Sequence, residues 1–180
     1  MPSILLSTIT YREEPKPSDC SAVRSVVEST GFFYPYETDV AVELVEERLQ
    51  KGVASGYHFL FAEEAGMLIG YSCYGPIPCT KESYDLYWIA VENRYQGLGL
   101  GKELLTKTES LVAEQGGRRI YVETSSRPQY LPTRAFYERC GYKADAVLED
   151  FYAPGDDKVI YVKVLKSCDR QTGQAVASSA

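Results

Sequence analysis

Three glycines at alternate positions, Gly97, Gly99 and Gly101, separate two runs of opposite character. Before them, Tyr87, Trp88, Ile89 and Val91 are β-branched or aromatic and suit a buried strand. After them, Leu104, Leu105, Thr108, Leu111 and Val112 recur at helical spacing. The segment Leu86 to Leu105 therefore reads as strand, glycine-rich turn and amphipathic helix. Glycine admits left-handed backbone angles and leaves no side chain in the way. The first turn of a helix presents N–H groups without acceptors at the positive end of the dipole. Together these features bring several main-chain donors onto one anion, so the turn reads as a seat for phosphate.

Two familiar phosphate motifs do not fit it. A Walker loop needs Gly, four residues, then Gly-Lys-Ser/Thr. Gly101-Lys102 is present, but Gln96 stands at the first glycine and Glu103 replaces the magnesium-binding hydroxyl. A dinucleotide fingerprint needs GxGxxG opening a βαβ unit, whereas these glycines have a different spacing and lie mid-chain. The pattern Gln/Arg-x-x-Gly-x-Gly/Ala does match Gln96-Gly97-Leu98-Gly99-Leu100-Gly101. In this the chain resembles the acyl-CoA pyrophosphate loop of the GNAT superfamily of N-acetyltransferases. The approach Ile89-Ala90-Val91-Glu92-Asn93-Arg94-Tyr95 is also similar, with Asn93 where that family often has Pro.

The remaining elements follow from pattern. Ile4 to Tyr11 is expected to form a first strand, ended by Pro15 and Pro17. A helix capped by Ser18 or Asp19 carries Val23, Val26 and Val27 and stops at Gly31. A second helix is expected to begin at Thr38 or Asp39, after the aromatic stretch around Pro35. Its apolar stripe is read as Val40, Leu44, Val45 and Leu49, with Gly52 beyond its end. Strands are expected over Tyr57–Ala62 and Met67–Tyr74, joined through Glu63-Glu64-Ala65-Gly66. After the central helix, closed by Gly116-Gly117, come a strand over Arg118–Thr124 and a short helix over Leu131–Cys140. Two late strands, near Tyr142–Glu149 and Val159–Leu165, are joined by a loop through Phe151 to Asp157. The order β-α-α-β-β-β-α-β-α-β-β resembles that of the whole GNAT fold, over roughly residues 4 to 165. The resemblance implies an α/β chain of the α+β type. Its central sheet is mixed, mostly antiparallel and twisted, of about seven strands with four helices, and splays between strands 4 and 5.

At 180 residues the chain is expected to form one domain, residues 1–166, followed by a flexible polar tail over 167–180. No apolar run approaches the roughly 20 residues needed to span a bilayer. Met-Pro-Ser at the start lacks the basic region of a secretion signal. Cys20, Cys73, Cys79, Cys140 and Cys168 are scattered, without CxxC spacing, and His58 is the single histidine. No metal site or disulfide framework is expected, and a reducing cytoplasmic setting fits. The net charge of −6 opposes a nucleic-acid partner and is compatible with a cationic substrate. No membrane partner is expected, and the chain is expected to be a monomer or homodimer.

A second motif lies in register with the glycine loop. Phe136-Tyr137-Glu138-Arg139-Cys140-Gly141-Tyr142 resembles the apolar-Tyr pair, Gly and aromatic residue of the GNAT helix after strand 5. Tyr130 stands where that family often has Asn. The resemblance implies acetyl-CoA as donor, a primary amine as acceptor and no metal. It places the pantetheine arm against the backbone of Ile89 and Val91, with the N–H of Ile89 or Ala90 on the thioester carbonyl. The N–H groups of Gln96, Gly97, Leu98, Gly99, Leu100, Gly101 and Lys102 would hold the pyrophosphate, and Ser125 and Thr133 would touch the pantetheine. Tyr137 would be the acid for the departing thiolate.

A base is also required, because an alkyl amine titrates near about 10.4 and is mostly protonated at neutral pH. Asp85, Glu123 and Glu37 are candidates, and a water chain is a further one. The amine pocket would be built from the segment carrying Phe33, Tyr34, Tyr36 and Glu37 and from the late loop carrying Tyr152. Aromatic faces and carboxylates both attract an ammonium group, so the acceptor is expected to be a small or peptide-like cationic amine. The alternative is a non-catalytic acyl-CoA-binding sensor or regulatory module with the same donor site.

Overall fold

The computed structural model describes residues 9–165. Residues 4–8 of the expected first strand and the expected tail over 167–180 lie outside the described residues. The elements are β1 (Ile9–Arg12), α1 (Asp19–Ser29), α2 (Pro35–Lys51), β2 (His58–Glu64), β3 (Met67–Pro76), β4 (Ser83–Val91), α3 (Leu100–Glu114), β5 (Arg119–Ser125), α4 (Leu131–Arg139), β6 (Lys143–Ala153) and β7 (Asp156–Val164). The strands form one seven-stranded sheet in the order β1-β2-β3-β4-β5-β7-β6. Every neighbouring pair is antiparallel except β4 with β5, which is parallel. No helix among the described residues is long and apolar enough to cross a membrane.

Strand alternation sorts the core into two layers. Along β2, Phe59 and Phe61 pack with Tyr71 and Cys73 against Val23, Val26 and Val27 of α1 and Ala41 and Val45 of α2. Leu60 and Ala62 point the other way, against Leu100 and Leu104 of α3. Leu86, Ile120, Val122 and Tyr161 extend that second layer to Leu105 and Val112 of α3 and Tyr137 of α4. The β2–β3 hairpin turns on Ala65 and Gly66, with φ of 51° and 80°. Positive φ at both central residues is the signature of a tight two-residue hairpin turn; Glu63 and Glu64 belong to the strand.

Three expectations need correction. α2 begins at Pro35, not Thr38 or Asp39, and its buried positions are Thr38, Ala41, Val42, Val45 and Arg48; Val40 and Leu49 are exposed. Pro35 starts the helix because a first-turn residue has no N–H to lose, and the Glu37 carboxylate accepts the Tyr34 N–H at 2.8 Å. β6 runs through Phe151 and Tyr152 to Ala153, so the expected loop is a short hairpin at Pro154-Gly155.

The feature that positions the site is an irregularity in β4. Cys73 of β3 faces Trp88, but the next residue, Tyr74, faces Leu86, leaving Tyr87 as an extra residue. Such a bulge bends its strand. On the other edge of β4, only Ser83, Tyr84 and Asp85 pair with β5, opposite Arg119, Ile120 and Tyr121. Past Asp85 the two strands diverge, and Leu86 to Val91 have no partner on that side. β3 passes close to the chain beneath this bend: a Cβ on Gly75 would lie 2.0 Å from the Gly56 carbonyl oxygen and 3.1 Å from the Tyr87 ring. Gly75→Ala is therefore expected to destabilise the fold by about 1–3 kcal/mol, as overpacking does. Urea unfolding reads this directly, and an unchanged midpoint would show that the Gly56 segment yields.

Candidate active site

The loop from β4 to α3 is shaped by its glycines. Gly97 and Gly99 have φ of 74° and 92°, which residues with a Cβ rarely adopt. The first hydrogen bond of α3 runs from the Glu103 N–H to the Gly99 carbonyl at 3.0 Å. Ahead of it, the N–H groups of Gly97 through Lys102 have no main-chain acceptor among the described residues. Gln96 differs from the expectation: its N–H donates to the Asn93 carbonyl and its side-chain amide to the Val91 carbonyl. The run of open donors thus begins one residue later, at Gly97.

These donors face a cavity of about 400 Å³ lined by Val91, Gln96, Gly97, Gly99, Gly101, Lys102, Phe136, Arg139 and Cys140. Its wall holds two cationic side chains and no carboxylate. Neither Lys102 nor Arg139 takes part in an ion pair among the described residues. Open amides at a helix N-terminus, two free cations and glycines that leave the mouth clear are a fit for a diphosphate. Leu98 projects outward and Leu100 turns into the core, so from these two only the main chain can serve. Arg139 and Cys140 lie in the motif quoted from the sequence but were given no site role there. They lie three and four residues after Phe136, one turn along α4, and that spacing could have marked them.

The cavity reaches Val91 at the end of β4 and Phe136 of α4. Ile89 packs against the α3 layer and Ala90 is buried in the opposite layer. Tyr137 of α4 is 4% exposed, with its ring 5.5 Å from that of Tyr142 and 5.3 Å from that of Phe136. Burial pushes its phenol above the ordinary value, which keeps the proton on the oxygen. Thr133 is half-buried in the first turn of α4. The Ser125 side chain is already engaged: its hydroxyl donates to Asp156 and accepts from the Arg127 N–H. The Ser125 carbonyl accepts from Arg134 at 2.6 Å.

On the far side of the gap, the α1–α2 connection meets β4, the β5–α4 turn and the β6–β7 hairpin. Phe33 packs inward, 4.9 Å from Trp88, and Phe32 lies 4.6 Å from Tyr130. Tyr34 stacks on Tyr36 at 5.5 Å, Tyr36 being the more exposed. The Arg127 guanidinium sits over the Tyr34 and Tyr130 rings at 5.9 and 5.5 Å and pairs with Asp156 at 3.0 Å. Burial, together with Glu123, Tyr130, Asp156 and Glu37, pushes the Tyr152 phenol up to about 12. Glu37 and Glu123 are thus close enough for their charges to act on Tyr152, while Phe33 is half-buried against Trp88 and Tyr36 is exposed.

The candidate bases separate by environment. Asp85 is half-buried, and burial, reinforced by the Glu123 charge and partly offset by Lys158, raises its carboxyl to about 6. Glu123 is bound to the Lys158 ammonium at 2.6 Å. Glu37 accepts the Tyr34 N–H at the start of α2. Trp88 was legible only as a strand residue and Tyr130 only as a departure from the family's Asn, while Lys158 and Arg127 carried no signal in the sequence; Lys158 meets Glu123 through the pairing of β5 with β7. No group of three or more potential metal ligands occurs among the described residues.

Comparison with known proteins agrees with this geometry. The model of the acetyltransferase (GNAT) family matches residues 24–142, more than half of the chain. A crystal structure of a GNAT-family protein from Desulfovibrio desulfuricans is 52% identical, with a TM-score of 0.86 over 88% of this chain and 99% of that one. An aminoglycoside 6'-N-acetyltransferase complexed with coenzyme A shares the fold at 21% identity, with a TM-score of 0.71 over 88% and 97% of the two chains. So does a GNAT acetyltransferase from Elizabethkingia anophelis with acetyl-CoA bound, at 16% identity and a TM-score of 0.63 over 88% and 99%. No curated protein matches the chain. The chain belongs to the GNAT family of acetyltransferases.

Proposed function

We propose that the protein is an acetyl-CoA-dependent N-acetyltransferase acting on a primary amine by direct attack. The observation that carries this reading is the run of open N–H groups from Gly97 to Lys102 beside the unpaired edge of β4. Gly97 through Lys102, with the Lys102 and Arg139 side chains, hold the diphosphate. The unpaired main chain of Ile89, Ala90 and Val91 aligns the pantetheine arm, and an N–H of Ile89 or Ala90 stabilises charge on the thioester oxygen. Acetyl-CoA supplies the activated acyl carbon.

Asp85 accepts the proton that the incoming ammonium must lose. Its raised carboxyl is a better proton acceptor than an ordinary carboxylate and is still mostly ionised at neutral pH. Glu123 is held by Lys158 and serves to set the charge of the cleft. Tyr137, kept protonated by burial, gives a proton to the departing thiolate. Phe33, Tyr34, Tyr36, Glu37 and Tyr152 receive the acceptor, whose cation is attracted by the aromatic faces and carboxylates.

Titration calorimetry with acetyl-CoA and thiol release over a panel of amines test the two halves separately. Absence of binding at near-millimolar ligand would remove the assignment. Binding without thiol release would point to the non-catalytic acyl-CoA module.

Asp85 makes a pH prediction with two readouts. Turnover per encounter should rise with pH through about 6, the value to which Asp85 is raised, and Asp85→Asn should lack that limb. The same shift affects stability. Folding raises the carboxyl from 3.8 to about 6, so it favours the protonated form, and this contribution is lost as pH rises through the folded value. Discounted for partial exposure, Asp85→Asn should be about 1–2 kcal/mol more stable than the parent at pH 8. The difference should narrow toward pH 4. Parallel unfolding curves across that range would refute the burial assigned to Asp85.

A further inference from the structure

Lys158 lies within the proposed acceptor cleft. It sits on β7 opposite Ser125 of β5, four residues beyond Tyr121, where β5 last pairs with β4. Its side chain is only 12% exposed and ends beside Glu123 at 2.6 Å. The ammonium stands 3.7 Å from the centre of the Phe151 ring and 5.8 Å from that of Tyr152. Its charge is felt by Asp85, the residue assigned as base. A primary ammonium on an apolar stem, held between a carboxylate and aromatic faces, is the chemistry an amine acceptor presents.

The other lysines in ion pairs stand elsewhere. Lys16, Lys51 and Lys107 are well exposed, with side-chain accessibilities of 56%, 59% and 44%. Lys163 is tied to Glu109 and to the Cys140 carbonyl, against α3 and α4.

We infer that Lys158 is an acetyl acceptor within its own molecule, so that the protein transfers one acetyl group from acetyl-CoA to the Lys158 ε-amine. This rests on the donor site proposed above. The ammonium first gives a proton to Asp85. Nζ then forms a bond to the acyl carbon, the carbon–sulfur bond breaks, and the thiolate leaves as CoA thiol with a proton from Tyr137; the nitrogen releases its second proton as the amide forms, which by way of water restores Tyr137, and the proton on Asp85 passes to solvent. No oxidant or reductant enters. The product is a neutral amide that no longer offsets Glu123, leaving the cleft one positive charge poorer.

The test is incubation of the full chain with acetyl-CoA, followed by peptide mass spectrometry. Lys158 should acquire its acetyl group about tenfold or more faster than exposed Lys51, because transfer within one molecule from a bound donor gains the advantage of proximity. The rate should not change with protein concentration, and excess free CoA should suppress it. Lys158→Arg should lose that mark while the slow background on Lys51 persists. Calorimetry on the same sample separates the two ideas. If acetyl-CoA binds and added amines are acetylated while Lys158 is modified no faster than Lys51, the inference fails and the function stands. A rate proportional to protein concentration would show transfer between molecules and overturn self-acetylation. Failure to bind acetyl-CoA would overturn both.

Discussion

Gly99→Val is expected to abolish detectable acetyl-CoA binding while leaving a folded protein. Gly99 sits at φ 92°, and a Cβ placed there meets no protein atom within 4 Å. The substitution therefore costs backbone strain of roughly 1–2 kcal/mol and no core clash. What it does disturb is the cavity mouth. The new side chain projects beside the open N–H groups of Leu100, Gly101 and Lys102, and a β-branched residue resists the left-handed turn that orients them. Loss of several charge-assisted hydrogen bonds, each worth about 1.5–3 kcal/mol, lowers affinity by well over a hundredfold. Gly101→Ala is the informative neighbour. Its Cβ would make ordinary contacts, 3.7 Å to Val91 and 3.8 Å to Phe136, so a smaller loss is expected there. Calorimetry on both variants, with circular dichroism to confirm folding, reads the contrast. Equal affinity in Gly99→Val and the parent would remove the phosphate role from the loop.

Tyr137→Phe should lower turnover by about 10²–10⁴-fold, the range for loss of a positioned proton donor, with little change in acetyl-CoA affinity. The ring contacts with Phe136, Tyr142 and Tyr161 do not involve the hydroxyl, so the replacement keeps the packing and removes the proton. A fall in kcat without a rise in the dissociation constant marks an interaction made in the transition state alone. Unchanged turnover would leave Tyr137 as a core aromatic and move the protonation of the thiolate to water.

The glycine loop and the α4 motif were legible because their meaning is local: a turn that needs positive φ has to be written in glycine. The α2 stripe was misread because two of its buried positions are polar. Arg48 reaches the Tyr57 carbonyl at 3.0 Å and the Glu14 carboxylate, and Thr38 is buried at the helix start. Apolar periodicity points to Val40 and Leu49, whereas hydrogen bonding lets Arg48 face inward. β6 gave no alternation to read, since all its residues are exposed along an edge. The proposed acceptor site was half legible. Tyr34, Glu37 and Tyr152 could be named from their segments, but Arg127 meets Tyr34, Trp88 meets Phe33 and Lys158 meets Glu123 only through contacts distant in the chain.

The surplus residue at Tyr87 has a consequence for how such a binding slot is made. A parallel strand pair normally zips shut along its whole length and leaves no room for a third chain. Here one residue too many in β4 lies just past Asp85, where pairing with β5 ends, and the edge of β4 beyond it has no strand partner on that side, which is where the proposed pantetheine arm would lie. The proposed slot is thus an interruption in the sheet's own ladder, beginning where the pairing of β4 with β5 stops.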